Sequence, residues 1–181
     1  MELLNSLSDK DVLEKGSNHF EPVAYAVLSY VVDKKNHLAL LKDPHYKKIQ
    51  LPGRRLLWGE QLHDVALSMA SKELDICTDE LKHFPVFNKK NYNGTELIPS
   101  PFQVQLEKGP HRQTLAHYDF VYVLTIDRDM PRIRVKESEK QKFAPEWYTF
   151  EEVESRQEQQ WGPHPDMVDT MRLIMEKVGV N

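Results

Sequence analysis

The sequence predicts an α/β sandwich built on a mixed sheet, and three observations carry that prediction. Short segments rich in β-branched and aromatic residues recur between Val23 and Phe150. One strongly periodic helix interrupts them at Glu60–Leu74, and a second closes the chain at Pro165–Val178. The connections are too short for the repeated crossovers that a doubly wound parallel sheet requires.

Taken in order, residues 1–18 read as an N-terminal extension or short amphipathic helix through Leu3, Leu4, Leu7, Val12 and Leu13, and 19–181 as a single domain. Val23–Val32 is the first strand, and the polar turn Asp33-Lys34-Lys35-Asn36 brings back His37–Leu41 as its hairpin partner. Ile49-Gln50-Leu51 leads to Pro52-Gly53 at a strand end, followed by a polar loop. Glu60–Leu74 places Leu62, Val65, Ala66, Met69, Ala70 and Leu74 on one helical stripe facing a core, with Asp64, Ser68, Ser71 and Lys72 on the other face. Strands are expected at Phe84–Phe87, Phe102–Leu106, Arg132–Val135 and Trp147–Phe150. The strongest is His117–Ile126, where Tyr118, Phe120, Tyr122, Leu124 and Ile126 alternate with Asp119, Val121, Val123 and Thr125. Pro165 suits the first turn of the last helix.

Composition narrows the partners. The net charge of −4, from 24 Lys and Arg against 28 Asp and Glu, gives no electrostatic footprint for nucleic acid or an anionic membrane. No apolar run reaches the ~20 residues that span a bilayer. The charged N-terminal stretch does not read as a signal peptide. The one cysteine, Cys77, excludes an internal disulfide and reads as a small buried apolar residue, so the cytoplasm is the expected compartment.

The most informative stretch is Leu51–Ile76, LPGRRLLWGEQLHDVALSMASKELDI. It resembles the signature segment of the Nudix superfamily, written Gly-x5-Glu-x7-Arg-Glu-U-x-Glu-Glu-x-Gly-U with U aliphatic. The resemblance extends roughly from Pro22 to Val178, with lesser support from His-Tyr-Asp at 117–119 and Glu-Trp-Tyr at 146–148. It implies a Nudix-type α/β/α sandwich with a curved mixed sheet between helices and the signature loop and helix at one edge. It also implies hydrolysis of a nucleoside diphosphate linked to another group, with magnesium or manganese held by carboxylates, since a polyanionic substrate needs cations to offset its charge.

Laid on the pattern, Glu60 fits the first Glu and Glu73 the last, while Gly53 matches a residue whose carbonyl often completes the metal shell. Arg54 stands at the first Gly, Ser68 at the Arg, Met69 and Lys72 at two of the Glu positions, and Asp75 at the second Gly. The GDP-mannose mannosyl hydrolase branch, which holds one magnesium through the last Glu and the Gly carbonyl, offers a similar outline. This chain lacks that branch's Arg and double Gly, and its Glu137–Pro145 loop holds no His base.

Several candidates carry two readings each. Lys72 either supplies positive charge towards a diphosphate or is a solvated lysine pairing with Asp75 or Ser68. Arg54 and Arg55 either grip phosphate or bridge local carboxylates. Glu60 and Asp64, four apart, could share a cation or simply be solvated. His111 and His117 bracket a loop that lines the cleft in related folds, where either could be a base or a packing residue. Glu137 and Glu139 are an extra carboxylate source or a solvated charge run, and Tyr92, Phe102, Tyr118 and Trp161 stack a base or fill the core. The primary expectation is a Nudix-type hydrolase with a reduced, single-metal site on Gly53, Glu60 and Glu73, in which Glu73 and Glu60 are catalytic and Arg54, Arg55, Lys72, His111 and His117 bind substrate. The alternative is a catalytically inactive Nudix-fold protein binding a nucleotide-like ligand or a protein partner. Homodimerisation stays open.

Overall fold

A computed structural model of the chain describes residues 24–43, 47–85, 98–107, 117–130, 144–157, 159, 162–163 and 165–178. Strands β1 (Ala24–Val32), β2 (Leu38–Asp43), β3 (Lys48–Gln50) and β4 (Gly53–Arg55) precede helix α1 (Leu62–Leu74). A 3-10 turn at Thr78–Glu80 leads to β5 (Leu81–His83), β6 (Gln103–Glu107), β7 (His117–Ile126) and β8 (Ala144–Tyr148). Helices α2 (Phe150–Glu154) and α3 (Pro165–Val178) follow.

The described strands form one mixed sheet with the path β3-β2-β1-β7-β5, to which β4 adds at β1, β6 at β7 and β8 at β2. β1 and β7 run parallel over nine residue pairs, Ala24/His117 to Val32/Thr125, and the other pairings are antiparallel. Because side chains alternate along a strand, this register sorts the core into two layers. On one face Val27, Val31, Tyr122 and Leu124 meet Val65, Ala66, Ala70 and Leu74 of α1. On the other, Tyr30, Val32, Val121 and Val123 meet Val153 of α2 and Met171 and Ile174 of α3. This is the α/β/α sandwich expected from the sequence. Burying Val65 or Leu74 contributes about 1.5–3 kcal/mol each. The small Ala66 and Ala70 let α1 lie close to the sheet, where the Ser29 hydroxyl donates to the Ala66 carbonyl at 3.2 Å.

Several boundaries differ from the sequence reading. Helix α1 begins two residues after Glu60, and Leu62 and Met69 are half-buried while Ala66 and Ala70 are fully buried. Gly53–Arg55 is a strand, not a loop. The strand expected at Phe84–Phe87 lies instead at Leu81–His83, with the Phe84 amide continuing the ladder to the Val123 carbonyl. Phe150 opens helix α2 rather than ending a strand, because Thr149 and Glu152 form a reciprocal capping box. Cys77 is exposed rather than buried. The expected N-terminal helix and the Arg132–Val135 strand lie outside the described residues. No described helix is long and apolar enough to cross a membrane.

Candidate functional site

The site grows from the end of β4. Ser29 donates to the Pro52 carbonyl and Leu56 to that of Tyr25, at 2.9 and 2.8 Å. Hydrogen-bonded pairs alternate with non-hydrogen-bonded ones in an antiparallel ladder, so Gly53, opposite Leu28, is a non-hydrogen-bonded position whose N–H and C=O point away from β1. The N–H donates to Glu73 Oε2 on α1 at 2.9 Å. Glycine is required there: a Cβ would collide with the Val27 carbonyl oxygen and stand 2.8 Å from Leu28 Cδ2.

From Gly53 the chain turns out through Arg54–Glu60, and this loop is closed by its own ion pair. Arg54 Nη1 and Nη2 donate to Glu60 Oε2 and Oε1 at 2.8 and 2.6 Å, a bidentate fork. The Leu57 amide adds a bond to Glu60 Oε2 at 2.8 Å, and Arg54 Nη1 also reaches the Arg55 carbonyl at 2.7 Å. The Arg54 guanidinium, followed by the Leu57 amide, holds the Glu60 carboxyl down at about 2. Gly59, at φ 83°, makes the final bend. Leu57 and Trp58 are exposed at the tip.

On α1, burial pushes the Glu73 carboxyl upward, against the pull of the Gly53 amide and of Lys72's charge. Lys72 and Ser68 are exposed, and Ser68 hydrogen-bonds within the helix to the Val65 carbonyl at 3.2 Å. Met69 packs against the cluster of Val27, Val65, Ala66 and Tyr122. Asp75 takes the left-handed conformation that ends α1, at φ 54°, which explains why the family pattern favours glycine at this position.

Beside the loop lies a cleft of about 370 Å³. Glu60 and the start of α1 (Gln61, Leu62, His63) make one wall, and Ile98–Pro101 the other, with Tyr122 between them. The Tyr122 hydroxyl donates to the Pro99 carbonyl at 3.5 Å. Behind the first wall, His83 packs edge-on to Tyr122 and to His63, with centroid separations of 5.4 and 6.2 Å. Further out on the same sheet face, Tyr25 stacks on Tyr118 at 6.1 Å with an interplanar angle of 11°.

The structure thus brings together Gly53 with Glu73 and Arg54 with Glu60. Arg54 takes the local-carboxylate reading; Arg55 is exposed, with its backbone in β4. Glu60 precedes the helix, so it does not share a helical face with Asp64, which lies 3.5 Å from His63 Nε2. Phe102 packs against the core on the α3 side, and Tyr118 lies on the α1 side. His117 lends its backbone to the first β1–β7 pair. His111, Tyr92, Glu137, Glu139 and Trp161 lie outside the described residues. His63, His83 and Tyr25 were not singled out in the sequence. The available signal was His63 directly after Leu62 at the helix start, one step from the apolar stripe.

The family resemblance implies magnesium or manganese on Gly53, Glu60 and Glu73, which can be tested against the donors. A hard divalent cation needs about six oxygen ligands, several of them charged. Both Glu60 oxygens are engaged by a guanidinium, and one Glu73 oxygen by the Gly53 amide, on a carboxyl that burial drives towards its neutral form. No group of three or more His, Cys, Asp or Glu arranged to hold a metal occurs among the described residues. The described donors do not fit the cation.

No protein-family model and no curated protein matches the sequence. Solved structures do match. The Ap4A hydrolase of C. elegans superposes with a TM-score of 0.60 at 9% identity, covering 86% of this chain and 98% of that one. A hydrolase of the NUDIX family from Clostridium perfringens gives 0.56 at 16% identity, covering 83% and 97%. A UDP-X diphosphatase gives 0.54 at 13% identity, covering 98% and 77%. The fold is that of the Nudix hydrolases.

Proposed function

We propose that this chain uses a Nudix fold to bind a nucleotide-like ligand without metal and without hydrolysing it. One observation carries the reading: the Arg54–Glu60 fork. Glu60 stands where the family pattern has an acidic residue of the signature, and here a permanent internal cation neutralises it. Two further substitutions work in the same direction. Met69 offers a thioether, a poor partner for a hard cation. Lys72 places an ammonium beside Glu73, where the pattern has a carboxylate.

The ligand class follows from the cleft and from the fold. A cavity of about 370 Å³ lies at the lower end of the range for small-ligand sites. Its apolar Leu62, Ile98 and Pro101 suit the flat face of a base, and Gln61, His63 and Ser100 offer hydrogen bonds. The names of the structural neighbours, Ap4A hydrolase and UDP-X diphosphatase, point to nucleotides bearing linked phosphates.

A second reading rests on one contact. Gly53 and Glu73 touch, and the Gly53 carbonyl faces outward, which preserves one side of the single-metal arrangement expected from the sequence. Calorimetry with adenosine diphosphate, in EDTA and in magnesium, separates the two when paired with product analysis on diadenosine tetraphosphate and a UDP-linked compound. Equal binding in both buffers with no product supports the binding protein. Magnesium-dependent product release that Glu73→Gln removes, in a protein that stays folded, overturns it in favour of the hydrolase.

A further inference from the structure

The α1 face of the sheet is covered over only part of its width. Two cross-strand rows of apolar side chains run over β1, β7 and β6: Val27, Phe120 and Val104 in one, Tyr25, Tyr118 and Leu106 in the other. Helix α1 closes over Val27 and Phe120, while Tyr25, Val104 and Leu106 stay exposed, the last two at 51% and 42%. Both rows stop at β6, which pairs with β7 along one edge, and no described strand takes the other edge.

An edge of this kind is an open template for another strand, and proteins that keep such edges free break them with proline, lysine or a bulge. Gln103–Glu107 has none of these: its sequence is QVQLE, and its register with β7 is unbroken. No charged residue stands in either row. A charged partner therefore finds no counter-charge on this apolar face, whereas a second copy of the same strand finds a match.

We propose that β6 is the contact between two copies of this chain, paired antiparallel about a two-fold axis through Gln105. Residues of one face stay together only where even numbers oppose even and odd oppose odd. Centred on Gln105, the register uses all five residues. Val104 opposes Leu106 of the second copy, Gln103 opposes position 107, and Gln105 opposes itself, so like charges are nowhere opposed. The rows then run on without a break, from Tyr25, Tyr118 and Leu106 into Val104, Phe120 and Val27 of the second copy. Because the contact is isologous, every pair off the axis occurs twice.

Size sets the strength. At about 3.4 Å per residue the shared edge is about 17 Å long, which covers well under the ~800 Å² per partner of a standard interface. The dimer is accordingly weak and comes apart on dilution through roughly micromolar concentrations. The Ile98–Pro101 wall of the cleft runs directly into β6, so the pairing steadies the strand that carries that wall. The contact does not depend on what the cleft binds.

Sedimentation velocity of the full chain, from about 1 to about 300 μM, tests the pairing without any variant. The expected result is a reversible monomer–dimer equilibrium, with amide exchange at residues 103–107 slowing as the dimer forms. A chain that is monomeric throughout overturns the proposal and leaves the edge to a foreign strand or to this chain's own leading residues. Exchange at 103–107 that ignores concentration overturns it too. Val104→Lys and Leu106→Glu, each checked for wild-type fold by circular dichroism, should each weaken the dimer at least about tenfold, since each alters two pairs. Mixed in equal amounts they should associate again, because the register sets the introduced lysine against the introduced glutamate. No recovery on mixing, or a dimer indifferent to both variants, overturns the pairing. Leu173→Ser, on the exposed side of α3, is the control, and loss of the dimer there would place the interface elsewhere.

Discussion

Replacing Gly53 with alanine tests whether the close approach of β4 to β1 sets the geometry of the site. A carbon normally stands about 3.3 Å or more from a carbonyl oxygen, and the added methyl would lie about 1 Å inside that limit at the Val27 carbonyl, a backbone atom that cannot swing away. Relief requires β4 to move outward by about that much. The Ser29–Pro52 and Leu56–Tyr25 bonds, now 2.9 and 2.8 Å, would then stretch beyond useful length. Each is worth about 1 kcal/mol, and the Gly53–Glu73 bond, to a carboxyl acceptor, about 1.5 kcal/mol or more. The smaller entropy of the unfolded alanine chain returns about 0.5 kcal/mol. The expected net loss is about 3 kcal/mol, read by urea unfolding. Gly59→Ala is the control, because nothing lies within 4 Å of its added Cβ and only the φ of 83° is strained. It should cost about 1–2 kcal/mol. If Gly53→Ala unfolds within about 1 kcal/mol of wild type, the steric argument and the reason given for glycine at 53 are wrong.

Leu74→Ala, at a position 1% exposed between α1 and the sheet, should cost about 2–5 kcal/mol in the same assay, whereas Leu173→Ala on the exposed side of α3 should stay within about 0.5 kcal/mol. Combining Met69→Glu with Lys72→Glu restores two carboxylates beside Glu73. Titration with manganese, followed by electron paramagnetic resonance, should show binding at least about tenfold tighter than wild type. No gain would mean that the Arg54–Glu60 fork alone governs whether the site accepts a cation.

The sequence was most legible where one face of an element must be buried. His117–Ile126 and Pro165–Val178 appear at their expected bounds because apolar periodicity there matches the real layers. Gly53–Arg55 carries no apolar residue, so its pairing with β1 comes from tertiary hydrogen bonds that leave no periodic trace. The helix at Phe150–Glu154 could have been read from Thr149 and Glu152, whose three-residue spacing is a capping signal. At the site, spacing alone gave Arg54 and Arg55 identical options. In the structure, alternation along β4 and the Leu56–Glu60 turn bring only Arg54 onto Glu60. His83 was unreadable for another reason: three residues of strand in a polar context do not reveal which side chain will face a helix.

The Asp33 carboxylate has a consequence for how the whole sheet responds to strain. It is fully enclosed and accepts from the amides of Lys35, His37 and Met130 and contacts the His37 ring, at 2.8 to 3.1 Å. One side chain thereby rivets the β1–β2 hairpin to the segment leaving β7, at the far end of the parallel pair from Tyr25 and the cleft. With that end clamped, any deformation of the parallel pair is expected to fall at its opposite end, in the first residues of β1 and β7, as in a cantilever held at Asp33.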